Sequence, residues 1–157
     1  MLIIATTRFN TKTWDENERW REKHKWKGCI YGTPTKTKDE LMPMGLMVIL
    51  EMYNDENKIM GLGLVRNAVI INKHYKIYSE GNYNRYTYMS KYRIDRKSMT
   101  EEEKKVINKI EILLFTGSHH LKRGQGITAV PDWVLYGFIN FSKIFKAMFI
   151  KRFTIQS

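Results

Sequence analysis

Apolar and β-branched runs separated by turn residues occupy most of the first hundred positions, a pattern typical of β-strands. The two clearest runs, Leu46–Tyr53 and Lys58–Arg66, flank a polar segment at 54–57 whose composition favours a turn. These runs therefore predict a hairpin. Further strands are predicted at residues 2–7, 27–31, 74–78 and 85–94, and a single helical turn at 37–41.

Helical signals appear after residue 100. Thr100 precedes three glutamates, and the apolar residues that follow recur at helical spacing, so we expect a capped amphipathic helix. Pro131 favours the start of a final helix that runs to about Lys146, because proline suits a first helical turn. A polar loop at 117–128 separates the two helices. The pattern predicts one α+β domain over residues 1–157, with roughly five or six strands and two or three helices.

The segment after the first strand mixes tryptophan with basic residues and supports two interpretations. Thr13 and Glu16 have the spacing of a capping box, which favours a helix from that point. From Arg19 to Lys27 a basic residue occupies every second position, which on a strand would form a charged face.

Composition adds a strong positive charge. Lysine and arginine total 27 and aspartate and glutamate total 16, which gives a net charge of +11 and a pI of about 9.7. Such a surplus favours a polyanionic partner, above all nucleic acid. A single cysteine excludes an internal disulfide and multi-cysteine zinc sites. We expect no cofactor. We also expect no membrane span, because charged residues interrupt the apolar runs. An intracellular protein is expected, and the abundance of lysine, asparagine and isoleucine favours an AT-rich genome such as that of a virus.

Three features together suggest a family. They are the tryptophan-bearing segment, the long apolar strand Leu46–Tyr53, and the run Ile59-Met60-Gly61-Leu62-Gly63-Leu64-Val65. In this order they resemble the PUA-like β-barrel superfamily, especially its EVE and YTH branches, over roughly residues 1–100. The resemblance implies a small mixed β-barrel with two or three flanking helices and an aromatic pocket for one nucleobase, often a modified one. The closing helices and a basic loop would follow in residues 100–157.

Aromatic and basic residues alternate in three segments, a combination that suits base stacking and phosphate neutralisation. The first comprises Trp14, Arg19, Trp20, Arg21, Lys23, Lys25 and Trp26, the second Arg85, Tyr86, Tyr88 and Arg93, and the third the loop residues His120, Lys122, Arg123 and Gln125. In the third segment glycines allow close approach of the backbone to a ligand, and Gln125 could contact a base edge. Each segment also has an ordinary structural interpretation, as core, edge strand or surface loop.

These residues predict a nucleic-acid-binding module that performs no chemistry. A nuclease or base-processing enzyme centred on His119 and His120 is one alternative, and a basic protein that docks an acidic protein partner is another. Cys29 lies in a predicted strand, where a lone cysteine is usually a small buried hydrophobe. Aromatic residues on several faces of the C-terminal helix suggest either core packing or a homodimer contact.

Overall fold

A computed structural model describes residues 2–38, 44–71 and 73–153. Its elements are β1 (Ile3–Phe9), α1 (Thr11–Lys23), β2 (Cys29–Thr33), β3 (Leu46–Tyr53), β4 (Lys58–Arg66), β5 (Tyr86–Ser90), β6 (Arg93–Asp95), α2 (Glu101–Phe115), β7 (Thr128–Ala129), α3 (Asp132–Leu135) and α4 (Phe141–Arg152). Short 3₁₀ turns precede β5 and α2. The mixed α+β class is thus confirmed.

Five strands form the main sheet in the order β6-β4-β3-β1-β7, and β2 pairs with β5 in a second, two-stranded sheet. β1 lies parallel to β3, whereas the other pairs are antiparallel. Over the described residues the sheet is not closed into a barrel, so the predicted barrel is wrong. Barrel closure depends on pairing between strands distant in sequence, which local hydrophobic patterns do not specify.

The central strand β3 separates two hydrophobic clusters. Its residues Val48, Leu50 and Met52 pack in one cluster with α2 and α4, while Met47 and Ile49 pack in the other with β2 and β5. A strand that is covered on both faces reads as a continuous apolar run, which is why the sequence identified it. The hairpin of β3 and β4 and the capped helix α2 are confirmed at their predicted positions.

The segment after β1 forms a helix rather than a charged strand. Asn10 caps α1 by accepting from the backbone N–H of Thr13, and Thr13 Oγ1 accepts from the backbone N–H of Asn10, so the predicted box of Thr13 and Glu16 is displaced by one turn. The helix ends before Lys25, which adopts a left-handed conformation. Because Trp14 and Asn17 both face the interior at helical spacing, packing overrides the alternation of basic residues.

Residues 74–78, predicted as a strand, form none. The Asn84 side chain accepts from the backbone N–H groups of Ile77 and Tyr78 and donates to the carbonyl of Tyr78. These side-chain bonds replace a strand ladder, which local composition does not reveal. The predicted strand at 85–94 divides into β5 and β6. Of the predicted turn at 37–41, residues 39–41 lie outside the described residues.

The predicted final helix is two helices, α3 and α4, and Asn140 caps the second by accepting from the backbone N–H of Lys143. Phe141, Phe145 and Phe149 of α4 are buried in the cluster beneath the main sheet. These rings therefore belong to the core, and the homodimer contact predicted through this helix is unsupported.

Candidate functional site

A pocket of about 290 Å³ opens where the parallel strands β1 and β3 end side by side. Carboxyl ends of neighbouring parallel strands are a common place for ligands, because the chain diverges there and leaves a crevice. The lining comprises Thr7, Arg8, Phe9, Asn10, Thr13, Gly32, Pro34, Asn54, Tyr78, Tyr83, Lys122, Arg123, Gly124, Gln125 and Gly126.

Arg8, near the end of β1, holds the loop between α2 and β7 against the sheet. Its Nη1 donates to Thr6 Oγ1 at 2.8 Å and to the Leu121 carbonyl at 3.1 Å. Its Nη2 donates to the Gly126 carbonyl at 2.7 Å and to Thr128 Oγ1 at 3.1 Å. Among the described residues these partners are all neutral oxygens. Burial lowers the pKa of Arg8 to about 10, so the guanidinium remains charged at neutral pH, and no carboxylate among the described residues pairs with it.

The loop lies flat on this guanidinium because it carries glycine at the point of contact. A Cβ atom added at Gly124 would lie 2.9 Å from Arg8 Cζ. Gly126 adopts a positive φ of 70°, a conformation that L side chains rarely take. The two glycines therefore permit a close approach of the backbone, as the sequence indicated, although to an arginine of this chain.

The lining residues carry positive charge on Arg8, Lys122 and Arg123, and none of the described residues that line the pocket is acidic. Asp55 lies near Lys122 but is bound to Thr11 at the start of α1, at 2.7 Å from Thr11 Oγ1 and 2.8 Å from its backbone N. Those hydrogen bonds, and to a lesser extent the charge of Lys122, lower the pKa of Asp55. The electrostatic field inside the pocket thus favours an anion.

Two polar atoms of the lining have no hydrogen-bond partner among the described residues. Asn54 Nδ2 donates to the Lys122 carbonyl at 2.9 Å, which fixes the orientation of this amide, and its buried Oδ1 has no partner. The buried Nε of Arg8 is likewise unpartnered. Buried polar atoms without partners are costly, so the lining leaves both a donor and an acceptor to be satisfied.

Two tyrosines also line the pocket. Tyr78 is buried and its hydroxyl accepts from Asn17 Nδ2 at 3.0 Å. Tyr83 packs edge-on against Tyr78, with ring centroids 6.3 Å apart, and keeps 38% of its surface exposed. Gly32 lies below, where a side chain would collide with the Tyr83 carbonyl. Tyr83 therefore offers an accessible ring beside the cations.

The structure brings together three of the loop residues predicted from sequence: Lys122, Arg123 and Gln125 all line the pocket. His120 does not line it; instead its Nδ1 accepts from the backbone N–H of Lys122 at 3.2 Å. His120 thus shapes the loop.

Trp14, Tyr88 and Arg93 are interior residues, which corrects their prediction as direct nucleic-acid contacts. Two guanidinium groups lie near Trp14: its ring centroid is 5.3 Å from Arg21 Cζ and 5.7 Å from Arg93 Cζ. Tyr88 accepts at its hydroxyl from the backbone N–H of Thr37. The alternation of aromatic and basic residues in these segments therefore serves contacts inside the protein.

The remaining predicted residues lie away from the pocket. Trp20 stacks on His24 with centroids 4.1 Å apart and packs edge-on against Tyr75 at 5.7 Å. Trp26 Nε1 donates to the Cys29 carbonyl, and both tryptophan rings are half-buried. Arg21 donates to Asn17 Oδ1 within α1. The side chains of Arg19, Lys23, Lys25 and Arg85 are exposed, and Tyr86 is half-buried beside Arg85.

The residues named for a catalytic alternative are not assembled. His119 packs edge-on against Trp133 at 5.1 Å, while His120 is bound to the Lys122 backbone, so the two rings serve different contacts. Within the described ranges, no three histidine, cysteine or acidic side chains lie close enough to hold a metal ion. Burial raises the pKa of Cys29 to about 12, which disfavours the thiolate a nucleophile requires.

Sequence reasoning missed Arg8 and Asn54. Arg8 carried a signal, because an arginine lies within an otherwise apolar and β-branched strand. Asn54 was assigned only to the turn after β3, and nothing local indicated that its amide faces a loop 68 residues later.

No family model, curated protein or solved structure matches this chain, so its resemblance to the PUA-like superfamily stays a prediction. No helix in the described part of the chain is long and apolar enough to cross a membrane.

Proposed function

We propose that this protein binds single-stranded nucleic acid without performing chemistry, and that one backbone phosphate occupies the pocket beside Arg8. The observation that carries the proposal is the charge of Arg8, which no described carboxylate offsets, joined by Lys122 and Arg123 around a cavity whose described lining lacks a carboxylate. A phosphate would supply the missing negative charge, and Lys122 and Arg123 provide charge-assisted donors for its oxygens.

The charge of the whole chain favours a polymer over a free phosphate. The net charge of +11 exceeds what one phosphate group neutralises. Exposed basic side chains outside the pocket, among them Arg19, Lys23 and Arg85, extend the positive field over more of the surface. A polyanion gains from those charges that its phosphates contact, through the release of its counterions.

The form of the site favours an unpaired strand. The pocket is concave and combines cations with an accessible tyrosine ring, Tyr83, on which a base can stack. Gln125 is exposed at the rim and has both a donor and an acceptor for a base edge. The resemblance to EVE and YTH domains suggests a modified base as the finer specificity.

Titration of a fluorescent single-stranded oligonucleotide, followed by anisotropy, tests the proposal. The pocket variant Lys122→Ala/Arg123→Ala removes two charges from the lining. The matched control Lys105→Ala/Lys109→Ala removes two charges from exposed positions of α2. At moderate salt we expect the pocket variant to bind at least about tenfold more weakly than wild type, because each lost phosphate contact costs about 1 kcal/mol or more.

The control variant should bind within about threefold of wild type, because distant surface charges are largely screened. Equal losses in the two variants would show that net charge alone drives binding and would contradict a site at the pocket. Circular dichroism of both variants confirms that each remains folded.

A further inference from the structure

Three aromatic side chains are exposed within a six-residue stretch that begins in α3 and ends before α4. Trp133 is 61% exposed, Tyr136 93% exposed, and Phe138 fully exposed. We call residues 133–138 the aromatic turn. Large apolar side chains so close together on a surface usually mark an interaction site.

The backbone of the aromatic turn is anchored, so the rings are held outward by the fold. Val134, inside the turn, is buried in the core, and Leu135 and Ile139 pack against the same cluster. Before the turn, the backbone N–H of Val130 donates to the Ile4 carbonyl at 2.9 Å. The fold therefore buries Val134 and leaves the aromatic side chains on both sides of it exposed.

The aromatic turn lies beside the basic loop of the pocket. The rings of Trp133 and His119 pack edge-on with their centroids 5.1 Å apart. His119 belongs to the loop that carries Lys122 and Arg123. After the pocket, the segment from Gly126 to Val130 runs along β1, from beside Arg8 to beside Ile4. Four strand residues span about 13 Å. A few nucleotides cover this distance, at about 3.4 Å for each stacked nucleotide.

Charge identifies the occupant. Lys143 and Lys146 are exposed on α4, the helix that follows the turn in the chain. A second copy of the chain would bring another +11 charges against this surface, which opposes self-association. Exposed aromatic rings among basic side chains are the combination that single-stranded nucleic acid uses, because every base has a face for stacking.

We infer that the aromatic turn is a base-stacking platform for nucleotides that follow the one held in the pocket. This inference rests on the proposed function and extends it: the binding site becomes a path several nucleotides long, with a phosphate anchor at one end and aromatic stacking at the other.

The test uses the full chain and a series of fluorescent oligothymidylates from about two to about twelve nucleotides, a range around the usual size of such sites. The turn variant is Trp133→Ala/Tyr136→Ala/Phe138→Ala. The matched control, Ile71→Ala/Ile112→Ala, truncates exposed apolar side chains elsewhere on the surface.

Wild type and control should bind more tightly as the oligonucleotide lengthens, until the path is filled. The turn variant should match wild type for the shortest oligonucleotides and bind the longest at least about tenfold more weakly, since stacking on each base is lost. The conservative variant Trp133→Phe, which keeps a ring, should recover most of the affinity contributed by that position.

The outcomes separate the two levels of the argument. Absence of binding to every oligonucleotide would overturn the proposed function and this inference with it. Tight, length-dependent binding that the turn variant retains would overturn the inference alone. Unchanged oligonucleotide binding together with a loss of self-association, or of binding to anionic vesicles, would assign the rings to a second copy or to a membrane surface and would also overturn it.

Discussion

Glu51 and Arg93 form an ion pair inside the protein, with side chains only 2% and 6% exposed. Arg93 donates from Nε and Nη2 to the two oxygens of Glu51, and the Tyr31 hydroxyl donates to Glu51 Oε2 at 2.7 Å. Burial and the neighbouring negative charge hold the pKa of Tyr31 well above its usual value. A Cβ at Gly63 would lie far inside van der Waals contact of the Tyr31 hydroxyl, so this glycine makes room for the network.

Removal of one partner of this pair should be far more damaging than removal of both. Glu51→Leu leaves Arg93 buried with Asp95 as its acidic neighbour among the described residues, and should lower the free energy of unfolding by about 3–5 kcal/mol. The double variant Glu51→Leu/Arg93→Met should recover most of that loss, because two apolar side chains replace two charges. Urea denaturation measures the free energy of unfolding of wild type, the single variant and the double variant. A double variant less stable than Glu51→Leu would contradict this account of the network.

At the scale of elements, two helices distant in sequence are joined through one carboxylate. Glu103 closes the capping box of α2 by accepting from the Thr100 backbone N–H at 2.8 Å. It also accepts from both terminal nitrogens of Arg152 at the end of α4. The hydrogen bonds from Arg152, followed by that from Thr100, lower the pKa of Glu103 from 4.5 to about 2.

This carboxylate should contribute to stability at neutral pH and lose that contribution in acid. Because the folded-state pKa is below the unfolded one, the stabilisation is present above about pH 4.5 and is lost as the pH falls toward about 2. Arg152→Met should lower the free energy of unfolding at pH 7 by about 1.5–3 kcal/mol, the range for hydrogen bonds to charged groups. It should also flatten the pH dependence of stability between pH 4.5 and 2. Thermal denaturation across this range checks both effects, and an unchanged acid slope would contradict them.

The elements that sequence predicted correctly are those specified by neighbouring residues. The hairpin of β3 and β4 follows from two apolar runs and a polar turn, and α2 follows from Thr100, Glu103 and an apolar stripe. Residues 74–78 could not be assigned in this way, because the side chain of Asn84 decides their conformation. The open sheet was also beyond local pattern, since pairing of β1 with β3 joins segments more than 40 residues apart.

The candidate site was predictable only in part, for the same physical reason. Lys122, Arg123 and Gln125 were identified as a basic loop with glycines, a local feature. The pocket, however, exists because Arg8 binds this loop across more than 110 residues. Trp14 and Arg93 were misassigned because a buried polar network and an exposed binding surface use the same residue types.

At the scale of the whole molecule, the residues that stabilise the fold lie apart from those that we propose to bind nucleic acid. Helices α2 and α4 pack on one face of the main sheet, and the two-stranded sheet and α1 pack on the other. The pocket lies at the end of the sheet, where β1 and β3 both stop. Variation in the basic loop can therefore change binding with little effect on the core, which makes the charge of this loop the feature to test.

The dependence of oligonucleotide affinity on salt tests the central claim most directly. For wild type, the logarithm of the association constant should fall linearly with the logarithm of salt concentration, with a slope of about −0.7 for each phosphate neutralised on a single strand. For Lys122→Ala/Arg123→Ala the slope should be shallower by about 1.4, while Lys105→Ala/Lys109→Ala should keep the wild-type slope. A flat dependence for wild type, or equal slopes for wild type and the pocket variant, would contradict a phosphate site beside Arg8.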